Sequence, residues 1–391
     1  MRPSGRRWEP ALATLHDVVV IGVGGMGSAA AYHLAKRGAS VVALEQHAPG
    51  HDLGSSHGLT RIIRLAYFEH PSYVPLLRRA FALWRELEEE SGERLLHVTG
   101  AIDAGTPGSR VLEGSLESCR VHGLRHEVLE AVEVNERFPG FNLPEGFRAV
   151  FQPDGGFLEP EKCIRAHASL ARKLGAEMRT GAHARGWTRD TNGVVVQLED
   201  GVIRARQLVM CAGAWTSKLL PSLAPLLRPE RQVVGWFGIE DRNAFVHGRF
   251  PVFVMTTPEG HFYGFPEFDV PGFKIGKYHH RSELVDPDQV RRAVDATDEA
   301  VLRRCVGSYF RGANGPMVRS STCLFTNTPD EHFIIDRLPD APEVLVISAC
   351  SGHGFKFCSV IGEVVADLTQ EGSTKHDLGL FRLGRFSYPR P

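Results

Sequence analysis

A glycine-rich turn followed by a distant acidic residue is the clearest chemical motif in the sequence. Gly22, Gly24 and Gly27 match G-x-G-x-x-G, between an apolar run and a helical pattern. The first glycine permits a tight turn, the second lets backbone amides approach a pyrophosphate, and the third lets helix and strand pack closely. Glu45 follows at roughly the ~20-residue offset of a carboxylate that binds ribose hydroxyls. The motif predicts a dinucleotide site at a helix N-terminus, in which the acid disfavours NADP, although an ordinary tight turn could also use these glycines.

Three cationic residues could bind an anion, although each also has an ordinary structural explanation. Arg61 and Arg64 are three positions apart, so they would share one face if this segment were helical. A charged face of that kind is commonly exposed to solvent. Lys274 alternates with apolar neighbours, which is the pattern of a solvent-facing lysine on a strand. Residue types and spacing alone leave both interpretations open.

The elements that would carry these residues predict an α/β chain of two domains, with α+β character overall. Apolar runs at 17–21 and 41–44 flank a helix in a βαβ unit, and 207–212 and 344–349 are further buried strands. Alternating runs between 231 and 280 predict an antiparallel sheet instead. Because an NAD-binding domain is usually one uninterrupted block, the long insertions favour FAD. The expected architecture is a Rossmann-like FAD-binding domain with an inserted antiparallel-sheet substrate domain.

The change of pattern along the chain also sets the expected domain limits. We expect a discontinuous FAD-binding domain, an inserted antiparallel segment at 96–150, and a disordered tail at the start. The limits are 16–95, 151–225 and 323–391 for the FAD-binding domain, 96–150 and 226–322 for the substrate-binding domain, and 1–15 for the tail.

Composition and charge exclude several other classes of protein. The 391 residues include 45 Lys and Arg against 46 Asp and Glu, a net charge of −1 that leaves no electrostatic footprint for nucleic acid. No apolar run approaches the ~18 residues of a membrane span, and no secretory signal is evident. The seven cysteines are irregularly spaced without a C-x-x-C, so neither a metal site nor a disulfide framework is expected. We therefore expect a cytoplasmic protein with reduced thiols.

Three long segments resemble the family of monomeric sarcosine oxidase and N-methyl-tryptophan oxidase. They are 54–67, 322–336 and 351–357, with the sequences GSSHGLTRIIRLAY, TCLFTNTPDEHFIID and SGHGFKF. The resemblance extends from about residue 17 to the C-terminus. It implies an FAD-dependent amine oxidase of the D-amino acid oxidase superfamily, whose flavin is attached to a cysteine sulfur, here Cys323. By itself, Cys323 would be an ordinary buried core cysteine.

The resemblance also implies roles for the cationic residues. Arg64 would bind the substrate carboxylate through a guanidinium fork, and Lys356 would meet the same carboxylate. Lys274, with Arg61 beside it, would lie above the flavin and assist electron transfer to O2, because a fixed cation stabilises developing superoxide. Two cations for one carboxylate would favour amino acids over simple amines.

Further residues of the substrate pocket follow from the same resemblance. His279 is the expected active-site histidine, with His280 as the alternative, because one extra residue precedes them in this chain. Tyr263 corresponds to a substrate-pocket tyrosine. Phe325 stands where the sarcosine oxidases have a tyrosine, and Val254 replaces a pocket methionine. These two departures indicate a reshaped pocket and argue against sarcosine itself as the substrate.

The motif and the resemblance together imply a set of cofactor-binding residues, and Gly352 is expected to contact the substrate as well. The set is Gly22, Gly24, Gly27, Glu45, Ser55, Thr60, Arg61, Cys323, Gly352, Gly354 and Lys356.

The implied reaction is the oxidation of a secondary, N-methylated amino acid to an imine, with O2 reduced to H2O2. The expected partners are only a small amino acid and O2, and the protein would act as a monomer. The nearest alternatives are flavin oxidation of glycine, of a cyclic imino acid such as pipecolate or of a bulkier N-methyl amino acid. A flavin dehydrogenase with a partner acceptor, or a nucleotide-binding protein without catalysis, would be a different class of protein.

Overall fold

The computed structural model describes residues 14–386. The expected tail lies outside this range except at its end, where Leu15 already begins the first strand. Within residues 14–386, none of the helices is both long and apolar enough to cross a membrane. The cytoplasmic location therefore stays a prediction.

The described residues form eight α-helices and nineteen strands. The helices are α1 Gly25–Lys36, α2 Val74–Ser91, α3 Arg110–His122, α4 Ala131–Arg137, α5 Pro160–Lys173, α6 Thr216–Leu219, α7 Ala296–Tyr309 and α8 Cys358–Gln370. The strands are β1 Leu15–Ile21, β2 Val41–Glu45, β3 Arg61–Ile63, β4 Leu96–Val98, β5 Ala101–Gly105, β6 Glu127–Glu130, β7 Arg148–Gln152, β8 Gly156–Leu158, β9 Glu177–Thr180, β10 Gly186–Asp190, β11 Gly193–Gln197, β12 Val202–Met210, β13 Arg228–Phe237, β14 Val252–Thr257, β15 Gly260–Phe265, β16 Phe273–Lys277, β17 Met317–Asn327, β18 Ile334–Leu338 and β19 Ala341–Ser348.

The first sheet carries the glycine motif and confirms the Rossmann-like prediction. Its order is β10-β11-β12-β1-β2-β9, with β19 beside β12 and β18 beside β19. Strands β19, β12, β1, β2 and β9 run parallel, so their carboxyl ends meet at one edge. The apolar strands are buried against α1, α5 and α8, which explains their continuous hydrophobic sequences. Ligands of such folds bind at this carboxyl edge.

The second sheet is largely antiparallel and supplies the other wall of the site. Its order is β17-β13-β16-β15-β14-β5-β7-β6, and a Phe-rich core packs against it. The expected domain limit at 322/323 falls inside β17, whose whole length pairs with β13. Cys323 therefore lies on the second sheet. The limit at 150/151 likewise falls inside β7.

Two expectations about local structure need correction. The segment 96–150 is not purely antiparallel, because it contains α3 and α4 and because β5 pairs in parallel with β14. Arg61 and Arg64 do not share a helix face, since Arg61 begins β3 and Arg64 follows its end. Neither helix nor sheet periodicity is visible in three residues, so the tertiary contacts of β3 with β8 decide this conformation.

Candidate active site

A cavity of about 420 Å³ runs between the two sheets. One end lies at the carboxyl edge of the first sheet, where Gly22, Gly24 and Glu45 line it. The other end is lined by Arg64 and Lys356 together with aromatic side chains of the second sheet. The volume of the whole cavity lies within the range of roughly 300–1,000 Å³ that is typical of small-molecule sites. The sequence motif and the expected substrate residues thus belong to one cavity.

The glycine motif has the geometry of a phosphate-binding turn. Gly22 has φ +90°, and a Cβ there would lie 2.5 Å from the Cys211 carbonyl oxygen. A Cβ on Gly27 would lie 1.7 Å from the Gly22 carbonyl oxygen, so α1 could not approach the turn with any larger residue. A Cβ on Gly24 would meet nothing within 4 Å, which leaves this backbone open to the cavity. Gly22 and Gly24 line the cavity, and Gly27 lies behind them as a packing residue.

Glu45 is buried at the end of β2 and braces the same turn. Its carboxylate accepts hydrogen bonds from the backbone N–H of Val23 at 2.8 Å and of His47 at 3.0 Å. Each carboxylate oxygen can accept a further bond. The position agrees with a carboxylate that binds ribose hydroxyls at the end of the second strand.

A second glycine turn closes the opposite side of the cavity. Gly352 has φ +79°, and a Cβ there would lie 2.5 Å from the ring of Phe325. A Cβ on Gly354 would lie 1.7 Å from the Ala349 carbonyl oxygen. Both glycines line the cavity, as does the side chain of Phe325. Both positions therefore need glycine for space, and Gly352 also needs it for its positive φ.

The first cationic cluster comprises Arg61 and Lys274. The Lys274 Nζ donates to the Gly58 carbonyl oxygen at 2.5 Å and to the carbonyl and hydroxyl oxygens of Thr60 at 3.2 and 2.7 Å. Arg61 binds the same Thr60 carbonyl oxygen at 2.9 Å and the carbonyl oxygen of Ser55 at 2.8 Å. The strand pattern suggested an exposed lysine, but Lys274 is buried, so that interpretation is wrong.

Burial, followed by the positive charge of Arg61, lowers the pKa of Lys274 well below its usual value. Three oxygen acceptors nevertheless surround Nζ, which matches the three N–H donors of an ammonium group. The ring of Phe265, a cavity-lining residue, has its centroid 4.3 Å from Nζ. Arg61 and Ser55 line the cavity, whereas Lys274 and Thr60 are not among its lining residues in the described part of the chain.

Cys323 is buried on β17 beside the first cationic cluster. Burial raises the pKa of its thiol, and the charges of Arg61 and Lys274 act in the opposite direction. The next residue, Leu324, donates its N–H to the carbonyl oxygen of Gly54, which lines the cavity. Cys323 is not itself among the lining residues within 14–386, so the structure places it next to the cavity wall.

The second cationic cluster comprises Arg64 and Lys356. The Arg64 Nε donates to both carboxylate oxygens of Asp103, at 3.0 and 3.1 Å, and Nη2 donates to Glu69 at 3.3 Å. Within residues 14–386, Nη1 has no hydrogen-bond partner. The fork expected from the sequence is therefore already partly used by protein carboxylates, and one arm is left for a ligand.

Lys356 approaches this cluster from the second glycine turn. Its Nζ donates to the carbonyl oxygen of His353 at 2.6 Å and contacts the Tyr67 hydroxyl at 3.5 Å. Burial lowers the pKa of Lys356 to about 7, although Glu69 acts in the opposite direction. The charge of this lysine is therefore sensitive to pH near neutrality.

The expected active-site histidine is not brought to the cavity. The two ring nitrogens of His279 lie 2.9 Å from Glu230 and 3.0 Å from Glu331, and these partners raise the pKa of His279 to about 9. His280 is buried beside Asp298 instead. In the described chain, Tyr278 lines the cavity and neither histidine does. Both residues lie in the turn after β16, which ends at Lys277, and His279 has a left-handed backbone with φ +51°, so strand alternation does not set which of the two faces the cavity.

An aromatic wall completes the substrate end of the cavity. Tyr263 lies opposite Gly276 in the register of β15 and β16, where a Cβ on Gly276 would come within 2.5 Å of its ring. The Tyr263 and Tyr278 rings are 5.2 Å apart, and those of Tyr278 and Phe325 are 6.1 Å apart. The expected pocket residue Tyr263 is therefore in place, and so are Phe325 and Val254.

Sequence reasoning missed the residues that support the second cationic cluster. Asp103 and Glu69 are buried acids, and the Tyr67 hydroxyl is 2.6 Å from Nδ1 of His353. His353 and Tyr67 lie within segments that resemble the oxidase family, so their position there was a usable signal. Asp103 stands as an acid inside an apolar strand run, and a buried carboxylate requires a partner.

Comparison with known proteins identifies the family. The model of the FAD dependent oxidoreductase family matches residues 17–368. The chain belongs to this family. It is 40% identical to monomeric sarcosine oxidase of Bacillus sp. (strain NS-129) over 380 residues, which cover 96% of this chain and 98% of the relative. It is 36% identical to N-methyl-L-tryptophan oxidase of Escherichia coli (strain K12) over 374 residues, which cover 95% and 99%.

Two solved structures show the same fold. NikD, described as an unusual amino acid oxidase essential for nikkomycin biosynthesis, superposes with a TM-score of 0.80 at 27% identity, over 94% of this chain and 98% of NikD. The glycine oxidase of Geobacillus kaustophilus superposes with a TM-score of 0.78 at 21% identity, over 95% and 99%, which shows the fold alone. The predicted fold class and FAD-dependent oxidoreductase family are thus confirmed.

The residues of the cavity fit FAD. The open backbone at Gly24 and the amino end of α1 suit a diphosphate, and Glu45 suits a ribose. Gly24 and Gly352 line the same cavity, and because glycine has no side chain the space between the two turns stays open. When bound, FAD would be held by these turns, and it would supply the redox chemistry that the side chains lack.

Proposed function

We propose that this flavoprotein oxidises secondary, N-methylated amino acids and transfers the electrons to O2, with H2O2 as the product. The observation that carries the proposal is the meeting of Arg64 and Lys356 at the far end of a cavity that begins at the dinucleotide turn. Two cations beside an aromatic wall suit the carboxylate and the amine of a small amino acid. The names of the curated relatives support the same substrate class.

The carboxylate of the substrate binds to Arg64 and Lys356 in this proposal. Arg64 offers Nη1, because Nε and Nη2 already bind Asp103 and Glu69. Lys356 offers an N–H that is not used by the His353 carbonyl oxygen. The two contacts orient the amino acid so that its amine and α-substituent face the aromatic wall of Tyr263, Tyr278 and Phe325. Hydrophobic walls exclude water from the reacting C–N bond.

Three residues serve the cofactor in this proposal. Cys323 would hold FAD through a thioether, which would prevent loss of the cofactor. The two electrons released when the C–S bond replaces a C–H bond of the flavin methyl group would pass to O2, the acceptor of the proposed reaction. Lys274 and Arg61 keep a fixed positive charge near the place where O2 accepts electrons, which stabilises developing negative charge. Burial raises the pKa of the Cys323 thiol, and the charges of Arg61 and Lys274 act against that rise, toward the thiolate form that is the nucleophile. The protein acts as a single chain, as the name of the sarcosine oxidase relatives implies for them.

A peroxide-coupled screen of purified protein tests the activity. The panel includes N-methylated, cyclic and unsubstituted amino acids, and we expect peroxide release with N-methylated members. Oxidation of substrate without peroxide, but with an artificial electron acceptor, would contradict the oxidase proposal and indicate a dehydrogenase. Activity confined to glycine or to cyclic imino acids would contradict the substrate class.

The covalent attachment is tested separately by acid precipitation. We expect yellow colour in the pellet of the wild type and in the supernatant of C323S. C211S is the matched control, because Cys211 lines the cavity directly after β12 of the first sheet. Colour that leaves the wild-type pellet would contradict the thioether while leaving the oxidase activity to the screen.

A further inference from the structure

Asp103 is a buried carboxylate in the middle of the second sheet. It lies on β5, opposite Val254 of β14 and Val150 of β7 in the strand register. Its side chain is 2% exposed, and Ser115 of α3 donates a hydrogen bond to Oδ2 at 2.7 Å. A carboxylate in such an apolar position costs free energy unless it is paired and hydrogen-bonded. Its partner is Arg64, which follows β3 and lines the cavity.

The contacts leave Arg64 little freedom to choose another orientation. Asp103 accepts from Nε with both oxygens, Glu69 accepts from Nη2, and Nη1 alone has no partner within residues 14–386. Arg64 packs against the rings of Tyr67 and Phe68, whose centroids are 4.9 and 5.0 Å from Cζ. Because Arg64 lines the cavity, the unpartnered arm is the one that can reach a ligand.

Glu69 is a competitor for that arm. Its Oε1 is buried without a hydrogen-bond partner in the described chain. If Nε were released from Asp103, the guanidinium could turn and present two parallel N–H groups to both oxygens of Glu69. Bidentate pairing of that kind is the strongest arrangement available to arginine. Such a turn would remove Nη1 from its present position.

We propose that Asp103 is the positioning residue of the substrate-carboxylate site: it anchors Nε of Arg64, so that Nη1 remains directed to the ligand instead of pairing with Glu69. This inference rests on the proposed function, because it takes the ligand to be a carboxylate. Asp103 acts through Arg64 and does not touch the substrate. Ser115 fixes Asp103 in turn, which links α3 to the specificity of the cavity.

The experiment compares D103A and D103V with D103N. Asparagine keeps an oxygen acceptor for Nε, whereas alanine and valine remove it, and valine suits a buried strand position if alanine disturbs folding. Each variant is assayed with the best N-methyl amino acid of the screen and with the amine that lacks only its carboxylate. For example, N-methyl-L-tryptophan is paired with N-methyltryptamine. D154A, at an exposed position after β7, is the matched control.

We expect D103A and D103V to raise KM for the amino acid about tenfold or more, which corresponds to about 1.4 kcal/mol of binding, with kcat within about twofold. KM of D103N and D154A for the amino acid should stay within about threefold of the wild-type value. KM for the amine without a carboxylate should not change. A merely structural role of Asp103 would affect both substrates and kcat together.

The inference is overturned if D103A and D103V bind the amino acid as well as the wild type does. It is also overturned if their KM for the amine without a carboxylate rises as much as their KM for the amino acid. Titration of the flavin spectrum with propionate measures carboxylate binding without turnover, and its dissociation constant should rise in D103A and D103V but not in D103N. If the wild type oxidises none of the panel, the proposed function fails, and the propionate series alone decides the role of Asp103.

Discussion

The two cationic clusters of the cavity contain the same residue types but differ in how their charge is balanced. Arg61 and Lys274 bind only carbonyl and hydroxyl oxygens, and neither forms a salt bridge with a carboxylate in residues 14–386. Arg64 forms salt bridges with two buried carboxylates, and Lys356 lies beside them. An arginine and a lysine thus give one cluster without a salt bridge to a carboxylate and one in which two carboxylates offset much of the positive charge.

The difference suits two kinds of chemistry. A cationic group without a counter-ion stabilises negative charge that develops during a reaction, because no neighbouring anion offsets its electric field. A cationic group that protein carboxylates hold in place binds an anion with defined geometry but with less attraction. We therefore expect the Arg61 and Lys274 cluster to affect rates and the Arg64 and Lys356 cluster to affect binding and stability.

The largest expected effect is on folding stability, through R64A. This change leaves Asp103 and Glu69 as buried carboxylates without a cationic partner, which costs about 3–5 kcal/mol. R61A removes only bonds to main-chain oxygens, at about 1 kcal/mol each. Urea unfolding of the flavin-loaded variants measures both. An equal loss of unfolding free energy in R64A and R61A would contradict the difference in charge balance between the two clusters.

The next effect is on the rate of reoxidation, through K274M. We expect the reaction of reduced enzyme with O2 to slow by about 100- to 1,000-fold, the usual loss when one electrostatic stabiliser is removed. Reduction of the enzyme by substrate should change far less. Stopped-flow absorbance separates the two half-reactions, and K277M is the matched control on the same strand. Reoxidation at the wild-type rate would rule out the role of Lys274.

A smaller effect concerns the pH dependence of carboxylate binding. Lys356, with its pKa lowered to about 7 by burial, is charged below that pH and neutral above it. Asp103, with its pKa raised to about 6 by burial, loses its charge only at the acid end. Binding of propionate should therefore weaken several-fold between about pH 6 and pH 8 and should stay flat over that range in K356M. A flat wild-type profile would mean that Lys356 does not meet the carboxylate.

The smallest effect concerns His279, which lies outside both clusters. Its two glutamate partners raise its pKa from 6.5 in the unfolded chain to about 9. The extra stability is therefore fully present below about pH 6.5 and is lost as pH rises through about 9. Because the side chain is 36% exposed, we expect only about 1 kcal/mol. Urea unfolding at pH 6 and pH 10 should show this loss in the wild type and not in H279Q, whereas substrate kinetics of H279Q should be nearly unchanged.

Much of the cofactor end was predictable because its requirements are local. The turn at Gly22, the packing of α1 at Gly27 and the acid at the end of β2 each follow from a few neighbouring residues. The long segments around Arg64, Cys323 and Lys356 also indicated the family before any contact was known. The hydrophobic pattern of the chain predicted a Rossmann-like sheet and a second, antiparallel sheet, and the fold contains both.

The substrate end was decided by tertiary structure. Asp103 is 39 residues from Arg64 along the chain, so no local sequence pattern predicts that the two side chains pair. Tyr278 rather than His279 lines the cavity, and both lie in the turn after β16, where a strand pattern no longer predicts the direction of a side chain. Alternation placed Lys274 on a strand, but only the packing of β16 against the 58–60 loop buried it. The sequence by itself therefore determined which residues could do chemistry, and the packing of the two sheets determined which charges they keep, since burial and partners arise from distant segments.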